Sequence, residues 1–110
     1  MSTVRSPWFS EDLELYYEHL LQAAGLAKAD EFLETVFQTL DHLAHFPQSG
    51  PLREFLHPEL AGIRFLPVLR PFQRVLIFFR IEGGELRAER LMHGYRDLPR
   101  RLLDPPGAED

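Results

Sequence analysis

The chain has no cysteine, one lysine and one tryptophan in 110 residues. Without cysteine, disulfides and thiolate metal centres are excluded. The five histidines show no HExxH or comparable ligand spacing, so the sequence implies no metal and no cofactor. No apolar run approaches the roughly 18 residues of a membrane span, and the N-terminus lacks a basic flank followed by an apolar segment. A cytoplasmic protein with no membrane partner is the simplest reading. At this length one domain is expected, burying a little over ~60% of its unfolded surface, and it must hold by packing.

Hydrophobic residues make up 45% of the chain, and the net charge of −5 conceals an asymmetry. Residues 1–47 carry two basic and eight acidic groups, a charge of −6. Residues 48–103 carry ten arginines and six acidic residues, a charge of +4, and residues 104–110 add −3. The positive charge of the second half is all arginine. Its planar fork suits bidentate pairing with carboxylate or phosphate, so an acidic protein or a nucleic-acid backbone both fit, as does a solvated face.

In "SPWFSEDLELYYEHLLQAAG" the residues Leu13, Tyr16, Tyr17, Leu20, Leu21 and Ala24 recur at helical spacing, with Phe9 extending the stripe backwards. Ser6 and Pro7 read as N-cap and first helical residue, and Gly25 as the stop. A second stripe runs through Ala29, Phe32, Leu33, Val36, Phe37, Leu40, Leu43 and Ala44 to Phe46-Pro47. The short connection predicts an antiparallel helical hairpin. His42 and His45 fall in the last turn as surface residues. Trp8, beside Pro7, reads as a lid on the core.

From Gly62 onward the pattern becomes extended: "IRFLPVL", "FQRVLIFFRI" and "ELRAERLMH". Gly83-Gly84 between Glu82 and Glu85 is a two-residue hairpin signal that sets a register. One face pairs Ile81 with Leu86, Phe79 with Ala88, Ile77 with Arg90 and Val75 with Met92. It should lie under the helices, with Arg90 its one misfit, needing to snorkel or to find a helix carboxylate. The other face pairs Arg80 with Arg87, Phe78 with Glu89, Leu76 with Leu91 and Arg74 with His93. Its apolar centre, ringed by arginines, suits a partner surface.

A three-residue loop after the Ile63 strand aligns Arg64, Leu66 and Val68 with this open face and avoids an unpaired buried guanidinium; Pro67 implies a bulge or an edge. A short "STVR" strand joins the sheet ahead of the helices. Residues 48–61 read as a loop with one helical turn, and 104–110 as an acidic, disordered tail following a single domain over 1–103. The expected fold class is α+β. A short N-terminal strand and an antiparallel helical hairpin pack on one face of a twisted, mostly antiparallel sheet of three to four strands.

Four junction phrases now carry a resemblance. "SPWFSEDL" opens a helix, "LAHFPQSG" closes a helical hairpin, "GIRFLPV" forms a strand, and "ERLMHGYRDL" follows a glycine-containing hairpin. In that order, over residues 3–103, they resemble the ParE branch of the ParE/RelE toxin superfamily: bacterial toxins of type II toxin-antitoxin systems, often labelled plasmid stabilisation proteins. Phe9 stands where the family usually has alanine, and the acidic tail is not a family feature.

The resemblance implies a growth-inhibiting toxin neutralised by a cognate antitoxin. ParE-like members are held to poison DNA gyrase without a reaction of their own, whereas RelE-like members cut messenger RNA on the ribosome. The protein-binding reading assigns partner contacts to Arg74, Leu76, Phe78, Arg80, Arg87, Leu91, Arg96, Arg100 and Arg101. The alternative, an endoribonuclease acting on ribosome and mRNA, needs a base, phosphate-binding cations and an acid. It would use His93 or Tyr95 with Arg64, Arg74 and Arg80, and Glu54 or Glu59 as a distant base. Against it stand the acidic overall charge and the single lysine, because ribosome-bound nucleases gain affinity from basic charge. A diverged, non-toxic member is the third possibility.

Overall fold

In this computed structural model the described residues are 1–94 and 97–108. Strand β1 (Ser2–Arg5) leads into helices α1 (Pro7–Ala24) and α2 (Leu26–His45). Two 3-10 turns, Pro47–Ser49 and Pro58–Leu60, precede strands β2 (Arg64–Pro67), β3 (Val75–Glu82) and β4 (Glu85–His93), and a short helix α3 (Leu98–Leu103) follows. The sheet order is β1-β4-β3-β2, with β1 parallel to β4 and the other pairs antiparallel. Pro67 therefore lies on an edge strand, where a missing N–H is harmless.

The helical hairpin forms as its stripes demand. The Ser6 hydroxyl accepts the Phe9 N–H at 3.0 Å and Pro7 occupies the first turn. Gly25, at φ +94°, ends α1 by donating to the carbonyls of Leu20 and Leu21 and opens α2 without an intervening loop. Phe9, Leu13, Phe32, Val36, Leu40 and Leu43 are buried against the sheet. Leu21 and Phe37, counted in the stripes, are instead exposed, with Arg5 lying over the Phe37 ring. Thr39 is fully buried because its hydroxyl donates to the Thr35 carbonyl and accepts the Leu69 N–H.

The glycine hairpin sets the register only as far as Ala88. Gly83 and Gly84 take φ of +57° and +77°, and the pairs Glu82–Glu85, Ile81–Leu86, Arg80–Arg87 and Phe79–Ala88 are those expected. A bulge then leaves Glu89 without an opposite residue, and Phe78 pairs with Arg90, Ile77 with Leu91, Leu76 with Met92 and Val75 with His93. The cause lies on the far side of β4. β1 stops pairing at Ala88, and α1 supplies the next partners: Ser6 donates its N–H to the Ala88 carbonyl and its hydroxyl to the Glu89 carbonyl, while Asp12 accepts the Leu91 N–H at 3.0 Å. The bulge turns Leu91 toward the helices and Met92 away from them.

The second face is not open, contrary to the sequence expectation. Leu76 and Phe78 are fully buried there with Ile63, Leu60, Met92, Leu98 and Leu102, and Phe55, Phe65 and Leu103 pack at the margin. Each such Leu or Phe brings about 1.5–3 kcal/mol on burial, so a face this apolar recruits α3 and the 51–61 segment as a roof. The β2 expectation is also overturned. Arg64 pairs with Phe79 and Leu66 with Ile77, which places Arg64, Leu66 and Val68 on the helix side. Arg64 is tolerated because its guanidinium donates to the Gly50 carbonyl at 2.9 Å. Gly50 permits that closure, since a Cβ there would sit 2.4 Å from the Phe79 ring. The connection after β2 is longer than three residues: Val68 and Val75 are already hydrogen-bonded, and 69–74 form the loop.

Candidate functional site

The stretch "RLMHGYRDLPRRL", residues 90–102, is organised around Arg90, which is 5% exposed. Its Nε and Nη2 meet the two carboxylate oxygens of Asp12 at 2.8 and 3.1 Å. Nη1 donates to the carbonyls of Arg101, Leu102 and Asp104 at the end of α3, and the Trp8 ring covers the guanidinium at 5.1 Å. The bulge moves Arg90 off the helix-side face to stand opposite Phe78 rather than Ile77, yet the helix carboxylate expected for it is there. Asp12 serves twice, neutralising Arg90 and closing the strand edge at Leu91. Asp12 is missed by the sequence reading, although its spacing of three from Phe9 and four from Tyr16 puts it on the inward face of α1.

His93 ends β4 on the helix side, opposite Val75 rather than Arg74. Its ring stacks on Tyr16 at 5.9 Å, and Tyr16 also touches His19 and Phe32. Burial raises the Tyr16 hydroxyl above its ordinary pKa. The His93 carbonyl accepts from Arg101 at 2.9 Å, and the Arg74 carbonyl accepts the Gly94 N–H. His93 and Arg74 line one shallow cleft with Tyr16, Pro71, Phe72, Gln73 and Val75. Arg64 does not join them. It lies four residues along β3 and two strands across, about 16 Å away by strand geometry. Tyr95 and Arg96 lie outside the described residues.

Of the expected ring, Arg80 and Arg87 are tied into the protein and Arg74 is not. Arg80 pairs with Glu89 at 3.1 Å and donates to the carbonyls of Glu59 and Ala61. Arg87 lies between Glu82 and Glu85 at the hairpin tip. Arg100 bridges Asp97 and Asp104. Of the apolar centre, Leu76 and Phe78 lie beneath the roof and Leu91 lies under the helices, so none presents a side chain to a partner. Among the described residues no group of three or more metal-ligating side chains occurs, and no helix is long and apolar enough to cross a membrane.

A helical hairpin on one face of a four-stranded sheet, roofed on the other by a C-terminal helix, defines a class of small α+β proteins. Residues 4–98 match the family model described as ParE toxin of type II toxin-antitoxin system, parDE, and the chain belongs to that family. Among solved structures it is similar to a chain from the "Chromosomal ParDE TA system from P. aeruginosa", with a TM-score of 0.70 and 23% identity. That likeness, covering 86% of this chain and 97% of the other, is one of fold. No curated protein matches in sequence.

Proposed function

We propose that this toxin arrests growth in the cytoplasm by binding DNA gyrase and is neutralised by a cognate antitoxin. The observation that carries the protein-binding reading is the employment of the candidate catalytic groups in the fold. Arg64 is fastened to Gly50, and it stands about 16 Å by strand geometry from His93, which is stacked on Tyr16. A phosphodiester at the cleft would meet Arg74 but not Arg64. The test is a supercoiling assay with purified toxin. Inhibition at stoichiometric toxin, relieved by the antitoxin, is expected; intact supercoiling with no trapped cleavage complexes would sink the reading.

A second reading is favoured by one feature, the shared cleft of His93 and Arg74. An imidazole beside a guanidinium is the minimum a ribosome-dependent endoribonuclease requires. Under that reading His93→Ala abolishes cutting of translated message while leaving the fold intact. Under the first, message is not cut at all.

A further inference from the structure

Most arginines in the described part of the chain have an internal occupation. Arg5 lies over Phe37, Arg53 over Phe55 and Phe65, and Arg64, Arg80, Arg90 and Arg101 hold backbone carbonyls. Arg87 and Arg100 hold carboxylates. Arg70 and Arg74 alone among the described arginines have no hydrogen bond, ion pair or ring contact for their side chains, and both are exposed on the loop that joins β2 to β3. The loop itself is firmly held. The Leu69 N–H donates to Thr39, the Phe72 N–H to the Leu69 carbonyl and the Val75 N–H to the Phe72 carbonyl, and Gly94 donates to the Arg74 carbonyl. The Phe72 ring is buried edge-on against Phe32, with the Lys28 ammonium 5.2 Å from its centroid.

A held backbone that displays two unengaged guanidinium groups four residues apart suits anions, with only the two side chains left to be ordered on binding. The neighbouring cleft adds an apolar wall of Pro71, Phe72 and Tyr16. A long polyanion is a poor occupant, since the adjoining helical hairpin belongs to a segment carrying −6. A protein segment needs only two carboxylates, which the guanidinium fork receives in bidentate fashion, and one apolar side chain for the cleft. A neutralising antitoxin that stays bound needs buried apolar area, and Leu69 is the only large apolar side chain exposed on this loop, so the loop is left to the target. Such area lies instead along the outer hairpin groove of Leu13, Tyr17, Leu33 and Phe37.

We infer that the 69–74 loop, through Arg70 and Arg74, is the contact by which this toxin grips a carboxylate-bearing surface of the protein it poisons. The inference rests on the protein-binding reading above. The experiment compares wild-type toxin with Arg70→Glu/Arg74→Glu in three measurements: inhibition of gyrase supercoiling, affinity for DNA-free gyrase at increasing salt, and affinity for the antitoxin. Expected are a loss of inhibition and of gyrase affinity of roughly tenfold to a hundredfold, a flatter salt dependence than wild type, and unchanged antitoxin affinity and melting temperature. Wild-type inhibition that the variant matches overturns the inference and leaves the gyrase reading standing. Equal loss of antitoxin affinity assigns the loop to the antitoxin and also overturns it. Tight binding of a fluorescent oligonucleotide by wild type, lost in the variant, overturns it in favour of a nucleic acid. No inhibition by wild-type toxin removes the gyrase reading and the inference together.

Discussion

The two faces of the sheet are both buried, and they are buried by different means. Under α1 and α2 the cover is regular: two helices of 18 and 20 residues whose periodic stripes meet the strands and whose backbone groups are satisfied internally. Over the other face the cover is a six-residue helix and an irregular segment, whose carbonyls have few local partners. Arginine side chains supply them. Arg80 holds the carbonyls of Glu59 and Ala61, Arg90 holds three at the end of α3, and Arg101 holds that of His93. The guanidinium has five donors in a rigid plane, which lysine cannot match, and that explains an arginine-rich second half without invoking a partner. A basic surface inferred from composition can therefore be a set of internal fastenings. Among the described residues the arginines left over, Arg70 and Arg74, are the informative ones.

The comparison breaks most readily at the Asp12–Arg90 pair. Asp12→Ala leaves a buried guanidinium uncompensated and the Leu91 N–H unpaired, and should cost about 3–5 kcal/mol in urea unfolding. Arg90→Met should cost at least as much, because it strands the carbonyls of Arg101, Leu102 and Asp104 as well as the Asp12 carboxylate; a clearly smaller cost than that of Asp12→Ala would show that the pair is not the fastening described. Next in size, Phe78→Ala on the roofed face and Phe79→Ala under the helices should each cost about 3–5 kcal/mol if both faces are true cores. A loss below about 1 kcal/mol at Phe78 alone would reinstate an open second face.

Smaller effects sharpen the same contrast. Gly50→Ala drives a methyl into the Phe79 ring, and about 1–3 kcal/mol of destabilisation is expected, with the Arg64 contact loosened. Tyr16 bears on the regular face through its raised pKa. A neutral phenol is favoured in the fold, so its contribution is complete below the ordinary value of 10.0 and is lost as pH climbs through the raised one. Tyr16→Phe should flatten the alkaline decline in melting temperature; an unchanged decline would count against the burial of that hydroxyl. Smallest is Arg87→Ala, whose ion pairs with Glu82 and Glu85 are exposed and should be worth no more than about 0.5 kcal/mol.

Where local signals suffice, the reading along the chain agrees with the structure. Ser6-Pro7 starts α1, Gly25 stops it, Gly83-Gly84 makes the hairpin, and the four pairs nearest that turn follow. Past Ala88 the reading fails, because the register there answers to where β1 ends and where Asp12 reaches, neither of which is encoded next to β4. The same shift by one residue moves Leu91 and Met92 to opposite faces and dissolves the expected pairing of Arg74 with His93. The cost of an unpaired guanidinium argues for Arg64 on the outer face. That cost is real, but a carbonyl 14 residues earlier in the chain removes it. Of the candidate catalytic set, His93 and Arg74 share a cleft, Arg64 is remote and Tyr95 lies outside the described residues.

By itself the sequence determined the two long helices, the strands and their order, the face of each long helix that goes inward and the family, but not α3. These rest on periodicity, caps and turn residues, which act within a few positions of one another. Only the tertiary structure decided which way β4 turns after Ala88, that the second face is roofed, and which arginines are free to meet another molecule. Each of those depends on a partner brought near by folding, and a guanidinium's role is set by whatever carbonyl or carboxylate lies within 3 Å of it, not by its neighbours in the chain.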